Sequence, residues 1–298
     1  MQVSLPALHQ THRYLVTSAS KTVIGNKTVE FMHDKLVSME LVEENGKGLA
    51  FRYGLLNQHL QGSSLIHHWT TEMDLLLSNV IFITDRTGRL TGVHRFPTLR
   101  QKFENEIAPI ARAKYPEPFY ETMADATMDL LADKNRFLQS FQGYSAWRFF
   151  FNGWFRKYDT AEEQPFSVDG YFGKIGLPLL VQTNTAAIDG SKSVGSVLSK
   201  GRLDKPRFDA PSFARMLKDL TGIFNTDSRL EVEMEEQVFF LKNGSIEEGE
   251  FFLQTSVPDW YSVTTAHQIR QLNEDQFSEE MSALDELKKE QEALHGSV

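Results

Sequence analysis

Residues Arg229–Phe240 alternate in polarity. Leu230, Val232, Met234, Val238 and Phe240 face one way along an extended chain, and Arg229, Glu231, Glu233, Glu235 and Gln237 face the other. Successive side chains of a strand point to opposite faces. This stretch is therefore a strand with one face on a core and one in water, the pattern of an antiparallel sheet. A chain built around such a strand must supply neighbours with the same two-faced pattern.

It supplies them on both sides. Near the N-terminus, residues 12–24 read as a strand, Gly25-Asn26 as a hairpin turn, and 28–43 as a longer strand with Val37, Met39 and Leu41 on one face. Asn45-Gly46-Lys47-Gly48 turns the chain into 49–60. Residues 65–79, with Trp69, Met73, Leu76 and Leu77, suit a short helix. Val80–Ile83 and Leu90–His94 form a strand pair around Asp85–Gly88. Toward the C-terminus, Leu177–Thr185 and Val194–Leu203 read as strands joined by Asp189–Lys192. Pro211–Leu220 reads as a helix capped by Asp209. Asn243-Gly244 leads from the alternating strand into Glu247–Val257, and Tyr261–Leu272 is the last strand.

Between the two β-rich halves lies a helix pair at about 97–142. Leu99, Phe103, Ile107 and Ile110 share one helical face, and Pro116 and Pro118 end that helix after Tyr115. Phe119, Met123, Ala126, Leu130 and Phe137 mark a second helix ending near Gly143. Tyr144–Phe155 is the most aromatic stretch of the chain, and the polar Arg156–Pro165 reads as a loop. The expected fold is α+β: a curved, mainly antiparallel β-sheet with an inserted helix pair and a C-terminal amphipathic helix. Residues 1–272 are expected to form one domain, since no Pro/Gly/Ser-rich linker divides them; 273–298 form an acidic helical tail.

Composition removes whole classes of function. The chain has no cysteine, which excludes disulfides, thiolate metal sites and cysteine nucleophiles. A net charge of −9 argues against nucleic acid as a partner. No stretch approaches the length of a membrane-spanning helix, and Met1–Gln10 lacks the pattern of a secretory signal, so a cytoplasmic location without membrane insertion is expected. The nine histidines show no metal-ligand spacing, and no phosphate-binding loop, dinucleotide fingerprint or nucleophile elbow occurs. The expectation is a binding protein with no catalytic, cofactor or metal site.

Two stretches are candidates for binding. Trp147, Phe151 and Trp154 either belong to the core or line a pocket for a partner or lipid. In the tail, Phe277, Met281, Leu284 and Leu287 form a narrow apolar stripe among acids. That helix either docks on its own domain, enters a groove of a protein partner, or pairs with a second copy of the chain.

The layout, with Asp85-Arg86-Thr87-Gly88-Arg89-Leu90 ahead of the helices and Phe149–Phe155 after them, resembles a group of poorly characterised bacterial proteins with a β-rich, lipoprotein-like fold. Some similar proteins are adaptors or chaperones for type VI secretion effectors. The resemblance implies a cytoplasmic adaptor or chaperone that holds a secreted effector for loading. The alternative from the residues themselves is a carrier or sensor of an apolar small molecule or lipid, held in a cavity between sheet and helices.

Overall fold

The computed structural model describes residues 2–62, 64–141, 145–158, 163–188, 193–222 and 229–295, with side chains to 291. The N-terminal half opens with a meander of long strands, β1 (Thr11–Ile24), β2 (Lys27–Asn45) and β3 (Gly48–Gln61). Turn chemistry sets their register. The Asn45 carboxamide oxygen accepts from the backbone N–H groups of Lys47 (2.8 Å) and Gly48 (3.2 Å). Gly48 is required by a close approach, since a Cβ there would lie 2.0 Å from the Thr84 carbonyl oxygen. Helix α1 (Leu65–Leu76) then leads to β4 (Val80–Thr84) and β5 (Leu90–Val93). The C-terminal half is a second meander: β6 (Glu163–Phe172), β7 (Ile175–Ala187), β8 (Ser193–Leu203), β9 (Glu231–Leu241), β10 (Ile246–Val257) and β11 (Tyr261–Leu272).

The two meanders are one sheet. Antiparallel pairing of β1 with β11, from Arg13↔Leu272 to Ile24↔Tyr261, gives the order β5-β4-β3-β2-β1-β11-β10-β9-β8-β7-β6. The sheet is antiparallel throughout and its end strands β5 and β6 do not pair with each other. The α+β architecture read from the sequence is the one observed.

One face of the sheet carries the helices α2 (Pro97–Lys102), α3 (Ala108–Lys114), α4 (Glu117–Ala132), α5 (Lys134–Ser140) and α6 (Arg148–Phe151). Against the C-terminal half sits α7 (Ala210–Thr221), whose Phe213 meets Phe172 and Phe208. The Asp209 carboxylate accepts from the Ser212 N–H and caps α7, as its position predicts. The last helix, α8 (Glu274–His295), lies on the opposite face. Its Leu284 is buried with Leu36 and Leu272, and Phe277, Met281 and Leu287 pack around them.

Three expectations need correction. The first helix contains a π-turn at Phe103–Ile107. Its i→i+5 bonds put more residues in the turn than a regular helix, so Leu99, Phe103, Ile107 and Ala111 align and Ile110 is 65% exposed. The second helix is two. Asp133 leaves helical geometry and its carboxylate takes the N–H groups of Asn135 (2.9 Å) and Arg136 (3.1 Å), starting α5. The segment read as a loop to Pro165 contains the start of β6, which pairs with β7 from Glu163↔Gln182. β6 is an edge strand, where proline and polar side chains are tolerated. Gly143, Tyr144 and the Asp189–Lys192 connection fall outside the described residues.

Candidate functional site

The helix layer does not fill the space above the sheet. A cavity of about 620 Å³ lies between the inward faces of β1, β2 and β11 and the helices α1, α4, α5 and α6. It is partly open to solvent. The space is therefore one that water or a ligand occupies, and it falls within the size range of small-molecule sites.

Its two walls differ. The helical roof is mostly apolar: Met73, Leu76 and Leu77 come from α1, Leu130 and Leu131 from α4, and Phe137 from α5, with Asp74 of α1 the charged exception. Phe141, Trp147 and Phe150 complete it beside the sheet. The floor is set by strand register. The inward positions of β2, β1 and β11 stand side by side as Lys35–Val16–Ile269, then His33–Ser18–His267, then Phe31–Ser20–Thr265. The middle row is polar across all three strands. His267 Nδ1 lies 2.9 Å from Ser18 Oγ, and the His267 ring is stacked on Phe251.

One ion pair joins floor to roof. Lys35 Nζ is 2.6 Å from Asp74 Oδ2, and His33 Nδ1 is 3.8 Å from the same oxygen. Asp74 is 6% exposed and His33 is 4% exposed. His33 Nε2 donates to Gln58 Oε1 at 3.1 Å. Burial, reinforced by the Lys35 charge, pushes the His33 imidazole down to about 4, so it is neutral at physiological pH. Burial likewise raises the Tyr53 phenol well above its ordinary value, and the Asp74 charge adds to this. Lys35 and Asp74 are the only permanently charged side chains lining the cavity among the described residues.

Of the aromatic candidates, only Trp147 reaches this space. It is half-buried, 4.6 Å from Tyr53 and 5.2 Å from Phe82 between ring centroids. Phe151 stacks beneath it at 6.0 Å and is buried. Trp154 is buried against Phe240, its indole N–H donating to the Phe149 carbonyl at 2.8 Å. The four tail candidates, Phe277, Met281, Leu284 and Leu287, rest on the other face of the sheet and touch no part of the cavity.

Sequence reasoning passed over Ser18, His33, Lys35, Asp74 and His267. A signal was present. On the face of β2 that carries Val37 and Met39, the two preceding inward positions are Lys35 and His33. The same signal marks Glu236 within β9. It falls on the apolar side, is 1% exposed, and is held by Arg148 Nε and Nη2 (the latter at 2.7 Å) and by Asn152 Nδ2 at 3.2 Å. This pair bonds α6 to the C-terminal half. No cluster of metal-ligating side chains occurs among the described residues, and none of their helices is long and apolar enough to cross a membrane.

No family model and no curated protein matches the chain. Among solved structures, lipovitellin is similar over 90% of this chain at 12% identity, with a TM-score of 0.41; the match spans 25% of the lipovitellin chain. A putative outer membrane lipoprotein-sorting protein domain from Vibrio parahaemolyticus covers 90% of each chain at 8% identity, with a TM-score of 0.17. A DUF1329 family protein from Desulfovibrio piger covers 90% of each chain at 10% identity, with a TM-score of 0.20.

Proposed function

We propose that this protein is a non-enzymatic carrier or sensor that holds an apolar small molecule or lipid between its sheet and its helix layer. The observation that supports the reading is the cavity of about 620 Å³ with its mostly apolar helical roof. The adaptor expectation gives way to it. The tail stripe on which that expectation leaned is engaged with Leu36 and Leu272 of the chain's own sheet, and the aromatic stretch is packed against Tyr53, Phe82 and Phe240.

Native mass spectrometry of the protein isolated from its own host tests the reading. An added small mass that extracts into organic solvent is the expected result, and Ala146→Trp, which fills the roof, should abolish it without loss of fold. An added polypeptide would favour the adaptor instead. A bare chain that also fails to take up a neutral hydrophobic dye overturns the carrier reading.

A further inference from the structure

The cavity has a closed end and an open end, and the difference orients a ligand, on the premise of the carrier reading that the cavity is a ligand site. Along β1 the lining side chains run Val16, Ser18, Ser20, Thr22; the first two are buried and the last two half-buried. β2 runs likewise from buried Val37 to half-buried Phe31. Trp147 and Phe150 mark the closed end, where their rings lie 4.6 Å from Tyr53 and 5.5 Å from Tyr14. At about 3.3 Å per residue, Tyr14 and Ser20 stand roughly 20 Å apart, a span that suits a long alkyl chain. The polar groups follow the same division. In the middle, Lys35 is paired with Asp74, His33 with Gln58 and Ser18 with His267, so nothing there calls for a polar atom of the ligand. At the open end three groups gather. Ser20 stands between Phe31 and Thr265 in the strand register, and the His67 ring lies 4.1 Å from that of Phe31. The Ser20 and Thr265 hydroxyls have no hydrogen-bond partner among the described residues, and His67 Nδ1 is buried without one. Burial lowers the His67 imidazole, so it is neutral at physiological pH. A head group at this end would bond these atoms and stay near water while the tail covers apolar side chains. The reverse orientation would bury the head beside one phenol, Tyr53, and leave the tail among hydroxyls.

We infer that the ligand is a long-chain amphiphile held tail inward: its chain runs from Ser20 toward Trp147, and a hydroxyl or carbonyl of its head bonds Ser20, Thr265 and His67 at the open end.

The test uses the delipidated full chain and hexadecanol brominated either near the hydroxyl or near the chain terminus. Bromine quenches indole fluorescence on contact, and the part of the signal lost in Trp147→Phe belongs to Trp147. Terminal bromine should quench that part severalfold more than head-side bromine. Separately, displacement of Nile red reads affinity. Ser20→Ala/Thr265→Val should weaken unbrominated hexadecanol about tenfold, the loss of its head's hydrogen bonds. The same variant should leave hexadecyl chloride, which has no hydrogen-bonding head, unchanged. The two readouts use different variants, so either one stands if the other variant fails to fold. Head-side bromine that quenches Trp147 equally or more would seat the head beside Tyr53 and overturn the orientation. An alcohol affinity that is unchanged in the double variant, or falls equally for the chloride, overturns the contacts at the open end. Each of these results leaves the carrier reading intact. A wild type that binds neither alcohol, chloride nor Nile red overturns both.

Discussion

Removing one partner of the Arg148–Glu236 pair should be the most damaging single polar change in the fold. Both side chains are buried, at 6% and 0% exposure. Arg148 also lies 4.3 Å from the centroid of Phe251, which leaves its charge little access to water. Glu236→Leu strands the guanidinium in this setting, and losses of this kind run to about 3–5 kcal/mol. At about 2.1 cal/mol/K per residue, the unfolding entropy of 298 residues is roughly 0.6 kcal/mol/K, so a loss of ~4 kcal/mol lowers the melting midpoint by about 6 °C. Arg148→Met should cost a similar amount, because it strands the carboxylate. The double variant Arg148→Met/Glu236→Leu should cost less than either single change, since neither charge remains and the two apolar side chains meet. Urea melts of the four proteins measure the cycle. Additive losses, or a cost below about 1 kcal/mol for Glu236→Leu, would show that water or other groups solvate these charges and would refute the reasoning.

Acid should weaken the fold partly through His33. Its folded value of about 4 lies below the ordinary 6.5, so the unfolded chain takes up the proton first as the pH falls. The contribution is intact above pH 6.5 and is lost progressively down to about pH 4, on the order of 3 kcal/mol in all. His33→Gln should flatten the difference between urea midpoints at pH 7 and pH 4.5; an unchanged slope would remove His33 from the account. Leu284→Asp puts a carboxylate between Leu36 and Leu272 and should release α8, read as faster proteolysis within residues 274–291 than in the wild type. Gly244→Ala should lower stability by about 2 kcal/mol or more, because φ is +79° and the new Cβ would lie 2.2 Å from the Ser4 carbonyl oxygen; a melt equal to wild type would contradict that.

How much of this was legible depends on what each strand meets. β1–β3 and β9–β11 declare themselves because one face is apolar, the other is polar, and Gly25-Asn26, Asn45-Gly46 and Asn243-Gly244 mark three of their turns. β6 does not. As an edge strand interrupted by Pro165 and Gly170, it borrows its structure from β7. The pairing of β1 with β11 joins residues more than two hundred positions apart, and no local pattern encodes it. The tail stripe was readable as Phe277, Met281, Leu284 and Leu287. Its seat was not, because Leu15, Leu36 and Leu272 sit on what alternation marks as the solvent face. The cavity residues were hidden for a related reason. A polar side chain at an inward position looks like a flaw in the alternation until its partner from another element is known, as Asp74 is for Lys35 and Arg148 is for Glu236.

Those two pairs also divide the roof mechanically. α1 is tied to the floor by Lys35–Asp74, and its last carbonyls at Leu75 and Leu76 accept from Lys102 Nζ at 2.8 and 3.2 Å. α6 is tied to β9 by Arg148–Glu236. Between them, α4 and α5 meet the cavity through Leu130, Leu131 and Phe137, and no ion pair joins either helix to the sheet among the described residues. Among the described residues their polar ties to α1 are neutral and meet at Thr127, whose Oγ1 accepts from Trp69 Nε1 at 3.3 Å and donates to Met73 Sδ at 3.7 Å. Parting α4 and α5 from the sheet therefore exposes mainly apolar surface and breaks no ion pair. Parting α1 or α6 would separate buried charges. Of the roof helices, α4 and α5 are the ones whose parting from the sheet leaves both ion pairs closed.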